Sequence, residues 1–279
     1  MPVAVLRDGS TIDIEVHGDG PNLLLPINPK PAEEGPEAQA MRDWGGDPEL
    51  GHSLVTGLRD TFRVVAFDYE KHLMAHPKTL TPDVITGDLL TVADAADADR
   101  FGFYGYSWLA LSGMQLAMRS RRCAALVMGG YPPVGGPYAE MLATTEATYR
   151  MAVEAQESPS EQVVEPGDWD TVSVSLSPAQ AKQFLVLYHE LQGFDDLAAQ
   201  AELSCPRLCF AGSADTIDYG PRWGGVRVDI AGPIVDRRAE LEKLGWEVRV
   251  LDGLDHMQAM QADQALPIIK PWLAARLLA

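Results

Sequence analysis

A doubly wound α/β fold with a mostly parallel sheet, an N-terminal hairpin and an inserted block of helices is predicted by three observations. Short apolar runs suited to strands alternate with longer stretches suited to helices. One of those runs, Phe101 to Tyr106, ends in a serine that opens a helix. The alternation is interrupted once, by a Gly- and Pro-rich run followed by helical sequence alone. Strands that alternate with crossover helices form parallel sheets, whereas a purely helical interruption has no strand to add.

Taken in order, Val3 to Leu6 and Thr11 to Val16 flank a turn at Arg7-Asp8-Gly9-Ser10. In the second run Ile12, Ile14 and Val16 alternate with polar residues, the period of a half-buried strand. Leu23 to Ile27 and Arg63 to Phe67 are apolar enough for the interior of a parallel sheet, and Pro48 to Asp60 predicts the helix that joins them. Thr81-Pro82 opens a helix running through Asp97, with proline at the first position, where its missing N–H costs nothing. The strand Phe101 to Tyr106, the helix from Leu109 and the strand Ala124 to Met128 follow.

The run Gly129-Gly130-Tyr131-Pro132-Pro133-Val134-Gly135-Gly136-Pro137 is too rich in Gly and Pro for a regular element. After it, helices are predicted from Tyr138 to Ala155 and from Ser177 to Gly193, the second opened by the capping signal Ser177-Pro178-Ala179-Gln180. Strand-like runs return at Arg207 to Ala211 and at Trp246 to Leu251. The stretch from Asp215 to a helix near Asp236 reads as an elaborated loop, and Asp68 to Leu73 as a loop with His72 and His76 in irregular sequence. No third ligand accompanies those histidines, so no metal is expected.

Three residues stand immediately after candidate strands: Ser107 in Gly105-Tyr106-Ser107-Trp108-Leu109, Asp215 in Gly212-Ser213-Ala214-Asp215, and His256 in Leu254-Asp255-His256-Met257. A serine hydroxyl needs a base to take its proton as it attacks, and an imidazole titrates in the right range. A carboxylate must then hold the imidazole tautomer. Asp218, Asp252 and Asp255 are rival carboxylates on sequence grounds alone.

The strand–serine–helix segment resembles the nucleophile elbow of α/β-hydrolases, usually G-x-S-x-G, and Ser107, Asp215 and His256 stand in that superfamily's order. Here the second glycine is Leu109. Pro26-Ile27-Asn28-Pro29 stands where the resemblance implies His-Gly-x-Pro, and Asp68-Tyr69-Glu70-Lys71-His72-Leu73 where it implies D-x-R-G-x-G. The resemblance implies an α/β-hydrolase fold, with residues 1–131 and 203–279 as the core and 132–202 as a helical cap. It also implies backbone oxyanion donors at Asn28 and Trp108, and the side-chain amide of Asn28 is a further candidate donor. Candidate pocket residues are Ile27, Tyr131, Tyr138, Trp169 and Met257. The chemistry expected is acyl transfer from a small-molecule ester, lactone or thioester to water through an acyl-enzyme on Ser107, without metal or organic cofactor. Acyl transfer to another acceptor, carbon–carbon bond hydrolysis, and a binding protein or receptor that senses a ligand remain open alternatives on the same three residues.

Composition narrows the partners. Lys and Arg total 22 against 40 Asp and Glu, a net charge of −18 over 279 residues. Nucleic-acid binding needs a basic surface, so it is not expected. No apolar run reaches the ~20 residues of a membrane span, and Met1 to Asp8 lacks the pattern of a secretory leader, so a cytoplasmic protein with no membrane association is expected. The three cysteines, two of them inside strand-like runs, suggest buried thiols and no disulfide framework.

Overall fold

The structure, a computed structural model, describes residues 2–157 and 174–278. The hairpin pairs β1 (Val3–Val5) with β2 (Thr11–Asp13), antiparallel, with Ala4 opposite Ile12. The run expected as one strand to Val16 is divided at Ile14, whose N–H turns to the carbonyl of Pro2. Beyond that point β3 (Glu15–His17) leaves the hairpin and joins the main sheet. A period-two pattern continues through such a break, because Ile12 and Ile14 both face the core on either side of it.

The next elements are β4 (Asn22–Leu25), α1 (Pro36–Asp43), α2 (Leu50–Leu58), β5 (Arg63–Ala66), α3 (Tyr69–Ala75), α4 (Pro82–Ala95), β6 (Phe101–Tyr106), α5 (Trp108–Arg119) and β7 (Cys123–Gly129). Then come α6 (Tyr138–Glu157), α7 (Pro178–Glu190), β8 (Arg207–Gly212), β9 (Thr216–Asp218), β10 (Arg227–Asp229), α8 (Ala231–Asp236), α9 (Arg238–Lys243), β11 (Trp246–Leu251), α10 (His256–Ala259) and α11 (Ala262–Leu277). The described residues form a seven-stranded sheet in the order β3-β5-β4-β6-β7-β8-β11, parallel except for the edge strand β3.

Alternate side chains of the central strands go to opposite layers. Leu24, Val65, Phe103 and Leu126 face one apolar core, which α4 and α5 cover. Leu23, Leu25, Val64, Tyr104 and Val127 face the other, which α2 and α11 cover. This two-sided burial is why the strands read as continuous apolar runs. The helix starts follow their caps. Thr81 accepts the Val84 N–H ahead of Pro82, and Ser177 and Gln180 form a reciprocal capping box.

Two local expectations are corrected and one unforeseen helix is added. Asp68 to Leu73 is not a loop but the cap and body of α3, with Asp68 accepting the Lys71 N–H, and His72 and His76 lie one turn apart with ring centroids 5.0 Å apart. Pro36–Asp43 is a helix that the sequence pattern did not suggest. The stretch after Asp215 is ordered as the β9–β10 hairpin closed by a short 3-10 turn at Pro221–Trp223. Among the described residues no helix is long and apolar enough to cross a membrane.

Candidate active site

Ser107 joins β6 to α5 at φ 55°, ψ −131°, a backbone conformation that non-glycine residues rarely adopt. The turn is held by its own hydrogen bonds: the Ser107 N–H donates to the Gly129 carbonyl at 2.8 Å, and the Ser107 carbonyl accepts the Ala110 N–H at 2.9 Å. Gly105 makes the bend fit, because a Cβ there would lie 2.4 Å from the Leu109 carbonyl oxygen. Strain at such a position persists only where the surroundings over-determine it, and it concentrates at functional sites.

His256 is the first residue of α10, whose cap Asp255 accepts the Gln258 N–H. Its Nδ1 lies 3.0 Å from both carboxylate oxygens of Asp215, at the end of β8. Asp215 is completely buried, and 15% of the His256 side chain is exposed. Such an arrangement fixes one imidazole tautomer, with Nδ1 donating and Nε2 left as the basic nitrogen. Tyr106, the residue before the serine, donates its hydroxyl to the His256 carbonyl at 2.9 Å, and the two rings lie 5.0 Å apart. The rival carboxylates have other partners: Asp252 contacts Ser213, Asp218 faces Arg227 across the hairpin, and Asp255 caps α10.

Ser107 and His256 border two cavities. The larger, about 910 Å³, is walled by Tyr131, Met141 and Thr145 of α6, Phe184 and Tyr188 of α7, Trp223 and Met257. The smaller, about 220 Å³, is bounded by Leu25, Pro26, Ile27, Leu54, Leu109, Met260 and one carboxyl group, Glu70. Trp108 and Met257 border both. Tyr138 does not reach either wall; its ring stands behind Tyr131, 6.3 Å away, and edge-on to Phe194. Trp169 lies outside the described residues.

On the oxyanion side, Trp108 begins α5, so its N–H is among those a helix leaves without an intrahelical partner. In the turn after β4 the Ile27 N–H is taken by the Leu25 carbonyl. The Asn28 side chain is turned away from Ser107: its Oδ1 accepts the Lys30 N–H, and it lines a separate cavity with Pro29 and His72. Of the two donors expected from Asn28, the side-chain amide is thus directed elsewhere and the backbone N–H alone remains a candidate. Phe184 had no signal in the sequence, since it adjoins no recognisable motif; Glu70 stands at the arginine position of D-x-R-G-x-G and Trp223 in the elaborated loop after Asp215, and only the fold brings all three to Ser107.

No protein-family model matches the sequence, and no curated protein is detectably similar to it. Solved structures are similar in shape. An esterase from Thermogutta terrifontis has 15% identity and a TM-score of 0.62, covering 99% of this chain and 98% of its own. An enol-lactonase from Burkholderia xenovorans LB400 has 17% identity and a TM-score of 0.61, covering 98% and 99%. A meta-cleavage product hydrolase from Pseudomonas fluorescens IP01 has 13% identity and a TM-score of 0.59, covering 99% and 98%. Over essentially its whole length, then, the chain has the α/β-hydrolase fold.

Proposed function

We propose that the protein is a serine hydrolase that cleaves a small-molecule ester, lactone or thioester through an acyl-enzyme on Ser107. The observation that carries this reading is the strained Ser107 on the wall of the same cavities as an imidazole held by a buried carboxylate. Hydrolases among the similarly shaped proteins agree with it.

In this mechanism His256 Nε2 takes the Ser107 proton as Oγ attacks the carbonyl carbon, and Asp215 stabilises the imidazolium that forms. The Trp108 N–H, at the positive end of α5, receives the developing oxyanion. The resemblance implies the Asn28 N–H as the second donor. The imidazolium then protonates the leaving group, and water repeats the sequence on the acyl-enzyme. No step calls for a metal or organic cofactor. The described residues of 132–202 act as a cap over the core formed by the described residues of 1–131 and 203–279, with α6 and α7 walling the larger cavity. Two amide donors tie the cap helix α7 to the core: Gln180 and Gln183 bond the carbonyls of Met74 and Leu73.

The test is to mix the protein with an activated short-chain aryl ester and weigh the Ser107 peptide. An acyl adduct on Ser107, lost with turnover in Ser107→Ala while the thermal transition is retained, is the expected outcome. Turnover that survives Ser107→Ala would remove the serine from the mechanism, whereas a wild-type protein with neither adduct nor turnover would favour a ligand-binding role for the fold.

A further inference from the structure

The smaller cavity holds a feature that ester cleavage does not use. Its wall is apolar apart from the reacting groups and Glu70, on the first turn of α3. Glu70 is an exposed residue and forms part of the wall of that cavity. One carboxylate oxygen, Oε1, accepts the indole N–H of Trp108 at 2.6 Å. Trp108 is itself fixed between Tyr69, stacked at 6.2 Å, and Phe184, edge-on at 5.4 Å. The carboxyl group is thus held in place beside the serine that Trp108 follows.

The electrostatics around Glu70 are unbalanced. Burial pushes its carboxyl above the ordinary glutamate value, the Trp108 hydrogen bond opposes that shift, and the charged neighbour that acts on it, Asp68, has the same sign. A carboxyl in an apolar cavity is costly unless a cation or a strong donor meets it. In the α/β-hydrolase pattern considered above this position carries an arginine, so the residue here has the opposite charge.

We propose that the smaller cavity is the acyl subsite and that Glu70 selects acyl groups ending in a primary ammonium, that is, esters or thioesters of ω-amino acids. The assignment of the arm as acyl rests on the serine-hydrolase reading; the recognition of the ammonium does not. Size and enclosure support the placement. Ser107 and His256 border both cavities; the smaller, apolar one suits a methylene arm and the larger one a leaving group. An ammonium at the end of that arm meets the Glu70 carboxylate in a charge-assisted hydrogen bond.

The experiment uses hydrolysis-resistant pairs that differ by one atom type at the tip of the arm. They are β-alanine anilide with butyranilide, and ε-aminocaproic anilide with heptananilide. Binding to Ser107→Ala is measured by calorimetry, so turnover is not required. At least one amino anilide is expected to bind roughly 10- to 100-fold tighter than its neutral isostere, the range of a hydrogen bond to a charged group. Glu70→Gln in the same background should collapse that ratio to near one. Trp108→Phe, which removes the indole donor but leaves the carboxyl, should keep the ratio above tenfold.

Equal binding of both members of each pair would overturn the proposal. So would a preference that survives Glu70→Gln, or one that vanishes in Trp108→Phe, since Glu70 would then serve only to orient the indole. The corresponding phenyl esters, given to the wild-type protein, separate the two readings. Preferential binding of the amino anilide without turnover of either ester would sink the hydrolase and leave the ammonium subsite standing. Turnover of both esters with no amino preference would do the reverse.

Discussion

Replacing Asp215 by Asn tests the carboxylate with the smallest change of shape. Both Asp215 oxygens lie 3.0 Å from His256 Nδ1, so the pair accepts one N–H whichever oxygen is nearer. An asparagine in that position offers an amide N–H₂, which favours the imidazole tautomer with Nδ1 as acceptor and the proton on Nε2. That nitrogen can then no longer take a proton from Ser107. Asp215 has no exposed surface, so water does not fill in for the lost acceptor. Where a triad carboxylate has been replaced in this way, turnover falls by roughly 10⁴-fold, or about 5 kcal/mol of transition-state stabilisation. The assay is steady-state hydrolysis of an activated aryl ester, with circular dichroism to show that the fold survives. Asp252→Asn and Asp218→Asn serve as controls, since those side chains contact Ser213 and Arg227 instead. Turnover within tenfold of wild type in Asp215→Asn, or a larger loss in either control, would refute the reasoning.

Other expectations follow from particular contacts. Gly105→Ala would place a Cβ against the backbone of Leu109 at 2.4 Å, so the elbow must move; turnover should drop by at least roughly 100-fold, and unfolding in urea should show a loss of about 1–3 kcal/mol. Lys78 bridges Asp8 at 2.9 Å and the buried Asp88 at 2.8 Å, while Tyr69 donates to Asp88 at 2.9 Å. Lys78→Met should therefore cost about 3 kcal/mol in urea denaturation by stranding the Asp88 charge. At the outer end of this network, the Ser10 hydroxyl and then the Lys78 ammonium hold the Asp8 carboxyl well below the ordinary carboxylate range. Its stabilising contribution is present above the unfolded-state value and is lost as pH falls through the lower folded-state value, so Asp8→Asn should flatten the acid limb of a stability–pH curve. Burial pushes the Cys209 thiol up to about 12, and Cys123 and Cys205 are buried too. An aromatic disulfide reagent at pH 8 should therefore label the folded chain far more slowly than the denatured one; fast labelling of Cys209 in native buffer would contradict the packing.

Much of the fold was legible because the parallel strands are buried on both faces and bounded by helix caps. Phe101–Tyr106 and Arg207–Gly212 show this, and Thr81 and Ser177 mark helix starts by their own side-chain hydrogen bonds. What escaped lacks such a signature. The helix α3 spans seven residues and includes Lys71, His72 and Met74, so neither apolar period nor composition separates it from a loop; its start is fixed by Asp68. The split at Ile14 escaped because alternation says which face a residue takes, not which partner its strand pairs with.

The candidate site divides along the same line. Ser107, Asp215 and His256 each follow a strand, so their order carries information that survives without coordinates. Glu70 sits on an element outside that alternation, and it reaches Ser107 only through a cavity formed by segments far apart in sequence. Leu109 shows how a departure in sequence can change meaning once placed in the fold. The close approach that demands a small residue occurs at Gly105, against the Leu109 backbone, so the leucine side chain leaves the turn intact. It is nearly buried and borders the smaller cavity instead. A leucine there subtracts volume and adds apolar wall beside the serine, and the same cavity carries Glu70 where the resembling pattern has arginine. Two of the positions at which this chain departs from the hydrolase pattern therefore meet on the wall of one cavity, where the leucine adds apolar surface and the glutamate a negative charge.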